Sequence, residues 1–251
     1  MSRDWTVYPA IDLRRGRVVR LMRGDPEQET RYADDPLSVA RRWQEAGSGW
    51  LHVVNLDGAF GKLNVENLAA LERILTTGLR VQFGGGLRDL EAIRRALAMG
   101  VSRVVIGTAA VKDPALVEAA LDAFESERVA VGIDARDGIV QTHGWQEAAP
   151  VTAIQLAQRW AGRGVRRVIF TDVARDGTGA GINLPATVQL AQESGLNVIA
   201  SGGAAGLEDV RRAHEAGLSG IIIGRALYEG RVRLKEALSV GMVEEGANGY
   251  E

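Results

Sequence analysis

At 251 residues the chain is long enough for one α/β barrel or two small domains, and with 46% hydrophobic and 25% charged residues it can bury a full core. A formal net charge of −2 leaves no basic surplus to hold a nucleic-acid backbone, so no nucleic-acid partner is expected. The absence of cysteine excludes disulfides, thiol nucleophiles and thiolate-bound metals.

The opening MSRDWTVYPAIDLRRGR carries charge where a signal peptide needs an apolar run, and no stretch reaches the roughly 18 apolar residues of a membrane span. A cytoplasmic protein with no membrane partner is expected. Short β-branched runs then alternate with amphipathic segments. A strand over Val7–Ile11 precedes a helix over Leu37–Ala46, a strand over Leu51–Leu56 and a helix over Val65–Thr76. Strand Leu79–Phe83, helix Leu90–Met99, strand Arg103–Ile106 and helix Pro114–Phe124 follow. The second half gives strand Val129–Ile133, helix Ala153–Ala161, strand Val168–Thr171 and helix Pro185–Glu193. Strand Asn197–Ala200, helix Leu207–Ala216 and strand Gly220–Ile223 close the series.

Several strand runs are apolar without alternation, as parallel strands buried on both faces require. Asp113-Pro114 reads as an N-cap followed by proline at the first helical position, and Gly100 and Gly217 stand where helices should stop. Eight strands alternating with helices predict a single (β/α)8 TIM barrel over residues 1–240. The polar tail at 241–251 is expected to be disordered.

An internal repeat sharpens this. GGLRDLEAIRRALAMGVSRVVIGTA at 85–109 aligns without a gap to GGAAGLEDVRRAHEAGLSGIIIGRA at 202–226, and AIDLRRGRVV at 10–19 echoes GIDARDGIVQ at 132–141. The chain thus reads as two half-barrel repeats, about 1–124 and 125–240.

In such a barrel the active site lies on the loops after the strand C-termini. Gly202 and Gly203, with Gly224 and Arg225, follow the last two strands, the usual phosphate position, and Ser201 and Gly177 lie beside them. The repeat places Gly85, Gly86, Gly107 and Thr108 at the equivalent place in the other half, so a substrate with a phosphate at each end is expected. Glycines that merely make tight turns would look the same one loop at a time, and four loops matched in pairs favour phosphate binding. Asp12 and Asp134 end equivalent strands with the same Ile-Asp step and should face each other across the mouth, a geometry that serves a general base on one side of a substrate and a general acid on the other. Alone, either would read as a loop cap. Thr171 ends the strand beside Asp134, Asp176 lies in the loop after it, and Trp145 is placed to stack on a planar heterocycle or to anchor its loop. Among the histidines, His214 reads as surface, His52 as lying at the far, stability-bearing face, and only His143 as able to reach a ligand. No pair of them has metal-ligand spacing. Arg14, Arg15, Arg17 and Arg20 make a basic approach to the mouth, although a solvated hairpin would contain the same residues.

Taken together, YPAIDLRRGRVVRL, VNLDGAFG, FGGGLR, IGTAAV, GIDARDG, HGWQE, TDVARDGTGAG, ASGG and IGRALYEG resemble the phosphoribosylformimino-5-aminoimidazole carboxamide ribotide isomerases of histidine biosynthesis, over residues 6–240 in order. The resemblance implies an Amadori-type aldose–ketose rearrangement without cofactor or metal. It implies Asp134 as the acid that opens the furanose ring, Asp12 as the base that removes the C2 proton, and Thr171 beside the acid. It also implies that the glycine loops hold two phosphates and that Trp145 lies near the aminoimidazole. The chain departs from the family at Asn55, where relatives carry aspartate, and at His143, a variable position. A glutaminase-partnered cyclase, a dual-substrate isomerase that also takes phosphoribosyl anthranilate, and a non-catalytic phosphate-binding barrel are the alternatives. The strand 1 and 2 motifs favour a stand-alone isomerase, expected to work as a monomer.

Overall fold

β1 (Thr6–Arg14) turns into β2 (Arg17–Met22) and again into β3 (Asp25–Ala33). Next come α1 (Pro36–Glu45), β4 (Trp50–Asn55), α2 (Leu56–Ala59), α3 (Val65–Leu75), β5 (Arg80–Gly84), α4 (Leu90–Met99) and β6 (Arg103–Ile106). They lead to α5 (Ala109–Lys112), α6 (Pro114–Ala123), β7 (Val129–Arg136), β8 (Ile139–Thr142), β9 (Glu147–Thr152) and α7 (Ala153–Ala161). The chain continues through β10 (Arg167–Asp172), α8 (Leu184–Ser194), β11 (Asn197–Ser201), α9 (Leu207–Glu215), β12 (Gly220–Ile223), α10 (Arg225–Tyr228) and α11 (Leu234–Ser239). This computed structural model describes residues 5–62 and 65–241, so the expected tail beyond Gly241 lies outside the described residues. Among the described residues no helix is long and apolar enough to cross a membrane.

Eight parallel strands close into a barrel in the order β10-β11-β12-β1-β4-β5-β6-β7, sealed by the pairing of β7 with β10. In this ring β1 stands opposite β7, β5 opposite β11, and β6 opposite β12. The (β/α)8 barrel predicted from the alternation is present, and every predicted strand lies on a barrel strand.

Alternation along the strands then sorts the side chains. Tyr8, Ala10, Val105, Ala130, Ile169, Ile199 and Ile222 point inward and fill the lower barrel, with Trp50 packed against them. Their odd-numbered or even-numbered neighbours Ile11, Val53, Val104, Ile133 and Val198 face the helices and join the larger core with Leu71, Ile93, Leu156 and Trp160. Fully burying such side chains is worth about 1.5–3 kcal/mol each. The same parity carries Asp12 inward above Ala10, and Asp134 inward above Ala130.

Two hairpin excursions rise from the mouth and have no counterpart in the predicted elements. They are β2–β3 after β1, and β8–β9 after β7. Arg15-Gly16 (φ 50° and 70°), Arg23-Gly24 (51° and 75°) and Asp137-Gly138 (50° and 79°) form their two-residue turns. Positive φ at both central residues matches the twist of the flanking strands.

Among the caps, Asp35 accepts hydrogen bonds from the Leu37 and Ser38 amides ahead of α1. Thr152 and Gln155 form a reciprocal capping box on α7. Gly100 ends α4 in the left-handed conformation, as expected. Asp113 stands at the N-cap of α6 as expected. Pro114 does open α6, but Asp113 also terminates α5, and its side chain makes no capping bond.

Candidate active site

A cavity of about 460 Å³ occupies the mouth formed by the strand C-termini and the two hairpins. Asp12 and Asp134 line it from opposite strands, with Thr171 in register beside Asp134. Gly85, Gly86, Gly107 and Thr108 line one side, and Asp176 and Ser201 the other. A small adjoining recess is lined by Gly177, Gly202, Gly203, Gly224 and Arg225 and shares Asp176 and Ser201 with the main cavity. The two carboxylates, Thr171, Trp145, Asp176, Ser201 and the glycine-loop residues singled out from the sequence therefore border this cavity or its adjoining recess.

The glycine loops have a steric reason for their composition. A Cβ on Gly85 (φ 98°) would lie 2.2 Å from the Asn55 carbonyl oxygen, at the end of the preceding barrel strand. A Cβ on Gly202 (φ 87°) would lie 2.5 Å from the Asp172 carbonyl oxygen, also at the end of the preceding strand. Only glycine lets each chain turn so tightly across its neighbour. Two single-turn helices, α5 and α10, start directly beyond Thr108 and Gly224, and neither is capped by a side chain. Arg225 turns its guanidinium to Glu229 (2.5 Å) and to the Gly177 carbonyl (2.6 Å), which ties α10 to the Gly177 loop.

Asp12 is the more elaborate of the two carboxylates. Its Oδ2 accepts a hydrogen bond from Arg20 Nη1 at 2.6 Å, and Arg20 Nη2 lies 3.8 Å from Asp176. Burial raises the Asp12 pKa, the Arg20 charge opposes this and the Asp176 charge adds to it, leaving the group at about 6. Burial alone disfavours charge on Arg20, but the neighbouring carboxylates of Asp12 and Asp176 outweigh it and hold Arg20 firmly protonated. Asp134 is also pushed upward, mainly by burial, with hydrogen bonding to Trp145 and Thr171 pulling the other way and Asp176 adding to the rise. Asp176 is raised by burial against the pull of Arg20.

Of the four arginines near Asp12, only Arg20 enters the site. Arg14 pairs with Glu29 at 2.5 Å and binds the Pro26 carbonyl, bracing the hairpin, while Arg17 stays exposed near Asp34. In the sequence all four read alike, as a basic approach to the mouth. The signal was present. The Arg15-Gly16 turn sets Leu13 opposite Val18 and Asp12 opposite Val19, and so brings Arg20 beside Asp12.

Other strand-end residues serve the scaffold. Asn55 caps α2 through the Gly58 amide and accepts a bond from Asn67, and Asp57 accepts from the Arg15 amide (2.7 Å) and Asn67 (2.9 Å). Asp172 holds the Ala174 amide and Asn183 in its loop.

Trp145 closes over the β2–β3 turn, where a Cβ on Gly24 would lie 2.4 Å from its ring. His143, Gly144 and Trp145 all have positive φ (53°, 64° and 71°), so this segment is held in a strained run. His143 does line the cavity, half-exposed, with Nδ1 3.1 Å from Glu147 and its amide donating to Thr108 Oγ1. His52 departs from expectation. It does not lie at the far face but points inward and lines the cavity, because it shares the inward parity of Trp50 and Val54. His214 packs edge-on against Trp5.

Comparison with known proteins identifies the family. The family described as "Histidine biosynthesis protein" matches residues 6–233. The chain is similar to a 1-(5-phosphoribosyl)-5-((5-phosphoribosylamino)methylideneamino) imidazole-4-carboxamide isomerase of Desulfitobacterium hafniense, 48% identical over 96% of this chain and 98% of the relative. It is also similar to proteins of the same name from Granulibacter bethesdensis, 49% identical over 93% and 97%, and Rhizorhabdus wittichii, 51% identical over 93% and 97%. With the family pattern spanning almost the whole barrel, the chain belongs to the histidine biosynthesis protein family.

Proposed function

We propose that the chain is an aldose–ketose isomerase that acts on the bis-phosphorylated imidazole carboxamide ribotide named in its relatives. The observation that carries this reading is the placement of Asp12 and Asp134 on opposite strands of one cavity, both raised in pKa by burial. The glycine loops after β5 and β6 and those after β11 and β12 lie across the mouth from each other, suited to one phosphate apiece.

In this mechanism Asp134 enters protonated. As the ribosyl C1–O bond breaks, the ring oxygen takes the Asp134 proton, and the nitrogen lone pair forms the C1=N bond of a Schiff base. Asp12, ionised beside Arg20, then removes the C2 proton. The C2–H electrons become the C1=C2 bond of an enolamine, which tautomerises to the ketose. Thr171 holds Asp134, and Trp145 covers the heterocycle. The reaction needs no cofactor or metal and no macromolecular partner, and a cytoplasmic monomer suffices.

The decisive experiment is a turnover assay of the purified chain on the carboxamide ribotide and on phosphoribosyl anthranilate, with and without a glutaminase and ammonia. Isomerisation of the carboxamide substrate by the lone chain is expected, and Asp12→Asn should abolish it while substrate still binds. Cyclisation of the ketose in ammonia, without isomerisation, would overturn the proposal.

A further inference from the structure

One interior row beneath the carboxylates is polar. His52, Gln82 and Arg103 are register partners on β4, β5 and β6, and all three are buried. His52 pairs in register with Ala10, whereas Asp12 pairs with Val54, so His52 lies one interior layer below Asp12.

The hydrogen bonds along this row have a direction. Arg103 Nη1 donates to Gln82 Oε1 at 3.1 Å and to Tyr8 Oη at 3.3 Å, and its Nε donates to the Glu127 carbonyl at 3.1 Å. The Trp50 ring lies 4.7 Å from the guanidinium and helps to fix it. A guanidinium has donors only, so the Gln82 oxygen must face Arg103 and the Gln82 amide nitrogen must face His52. That nitrogen lies 3.1 Å from His52 Nδ1, which therefore accepts. A neutral imidazole whose Nδ1 accepts carries its proton on Nε2. Burial, reinforced by the charge of Arg20, depresses the His52 pKa to about 3, so the ring is neutral at physiological pH. Among the described residues nothing is bonded to Nε2, and His52 borders the cavity.

We propose that His52 is a catalytic residue, held by Gln82 and Arg103 as the Nε2–H tautomer, whose N–H donates to the substrate oxygen on the carbon that Asp12 deprotonates. The assignment rests on the isomerase reading and deepens it. That oxygen changes from hydroxyl to ketone during the rearrangement, and a fixed donor beneath it stabilises the charge that develops there. A neutral donor suits the site, since a second cation beside Arg20 would weaken Asp12 as a base. Gln82 and Arg103 are positioning residues that act through the ring.

Nitrogen-15 spectra of the histidine rings read the tautomer directly. The wild-type protein should show His52 with its proton on Nε2 across pH 6–8, a range set by the low pKa of the ring. Gln82→Glu preserves the volume but offers only acceptors to His52, so the proton should move to Nδ1 and leave Nε2 facing the cavity without hydrogen. In that variant kcat should fall on the order of 10²-fold, with KM little changed. Gln82→Met, which removes the fixing donor without reversing it, should show mixed tautomers and a smaller loss. A wild-type ring protonated on Nδ1 would overturn the proposal, and so would a reversed tautomer in Gln82→Glu with kcat unchanged. If Gln82→Glu does not fold, the wild-type spectrum and Gln82→Met still decide. A wild-type chain without isomerase turnover would remove the isomerase reading and the catalytic role together, while the spectrum would still test the tautomer.

Discussion

Arg20 Nη1 donates a 2.6 Å hydrogen bond to Asp12 Oδ2 across a two-residue turn, inside a barrel mouth where both side chains are largely shielded from water. Arg20 keeps the Asp12 carboxylate ionisable in a place where burial alone would neutralise it. Replacing it with Met should therefore raise the Asp12 pKa above about 6. The acid limb of the kcat/KM profile should move to higher pH, with activity at pH 7 down by at least about tenfold. A pH–rate series of the variant and the wild type checks this, and an unmoved limb refutes the coupling.

In the wild type, the base must be ionised to act. With Asp12 raised to about 6, kcat/KM should decline as pH falls through that value, well above the ordinary carboxylate range. An acid limb near 4 in initial-rate measurements would exclude Asp12 as the titrating base.

Asp134 has its pKa raised by burial and, among the described residues, has no ion pair. A carboxyl with a raised folded-state pKa gives its full stabilisation below its unfolded value, and that contribution is lost as pH rises through the folded value. Asp134→Asn removes the ionisation. It should abolish turnover yet raise the unfolding midpoint at pH 7, with the gain shrinking toward pH 4. Thermal unfolding at both pH values tests this; equal or lower stability at pH 7 would contradict it.

Gly202→Ala would force a Cβ to 2.5 Å from the Asp172 carbonyl at φ 87°. The left-handed conformation alone costs an alanine about 1–2 kcal/mol. For a chain of this size each kcal/mol lowers the midpoint by about 2–4 °C. The proposed phosphate loop would also shift, so KM should rise alongside the loss of stability. A variant with wild-type KM would separate the loop from phosphate binding.

Much of the architecture was legible in the chain because its signals are local. Apolar runs such as Val104–Ile106 and Ile221–Ile223 lie on β6 and β12, and the helices fall within a residue or two of their periodic segments. The hairpins were not among the predicted elements, although Asp137-Gly138 is a turn pair such hairpins favour and a hairpin was one reading of the arginine stretch from Arg14 to Arg20. Asp113 takes the N-cap position of α6 ahead of Pro114, as the sequence pattern indicates, but its side chain makes no capping bond there.

The sequence by itself determined the count of barrel strands, the placement of Asp12 and Asp134 at the ends of opposite strands, and the glycines at which each loop turns across its neighbour. Only the tertiary structure decided which charges meet. Arg20 was one arginine of four until the hairpin register set it against Asp12, and His52 was one histidine of three until barrel closure turned it toward the cavity. Strand periodicity is encoded by neighbours a few residues apart. The pKa of a buried carboxylate and the tautomer of a buried imidazole depend on groups that only the closed ring brings within hydrogen-bonding distance.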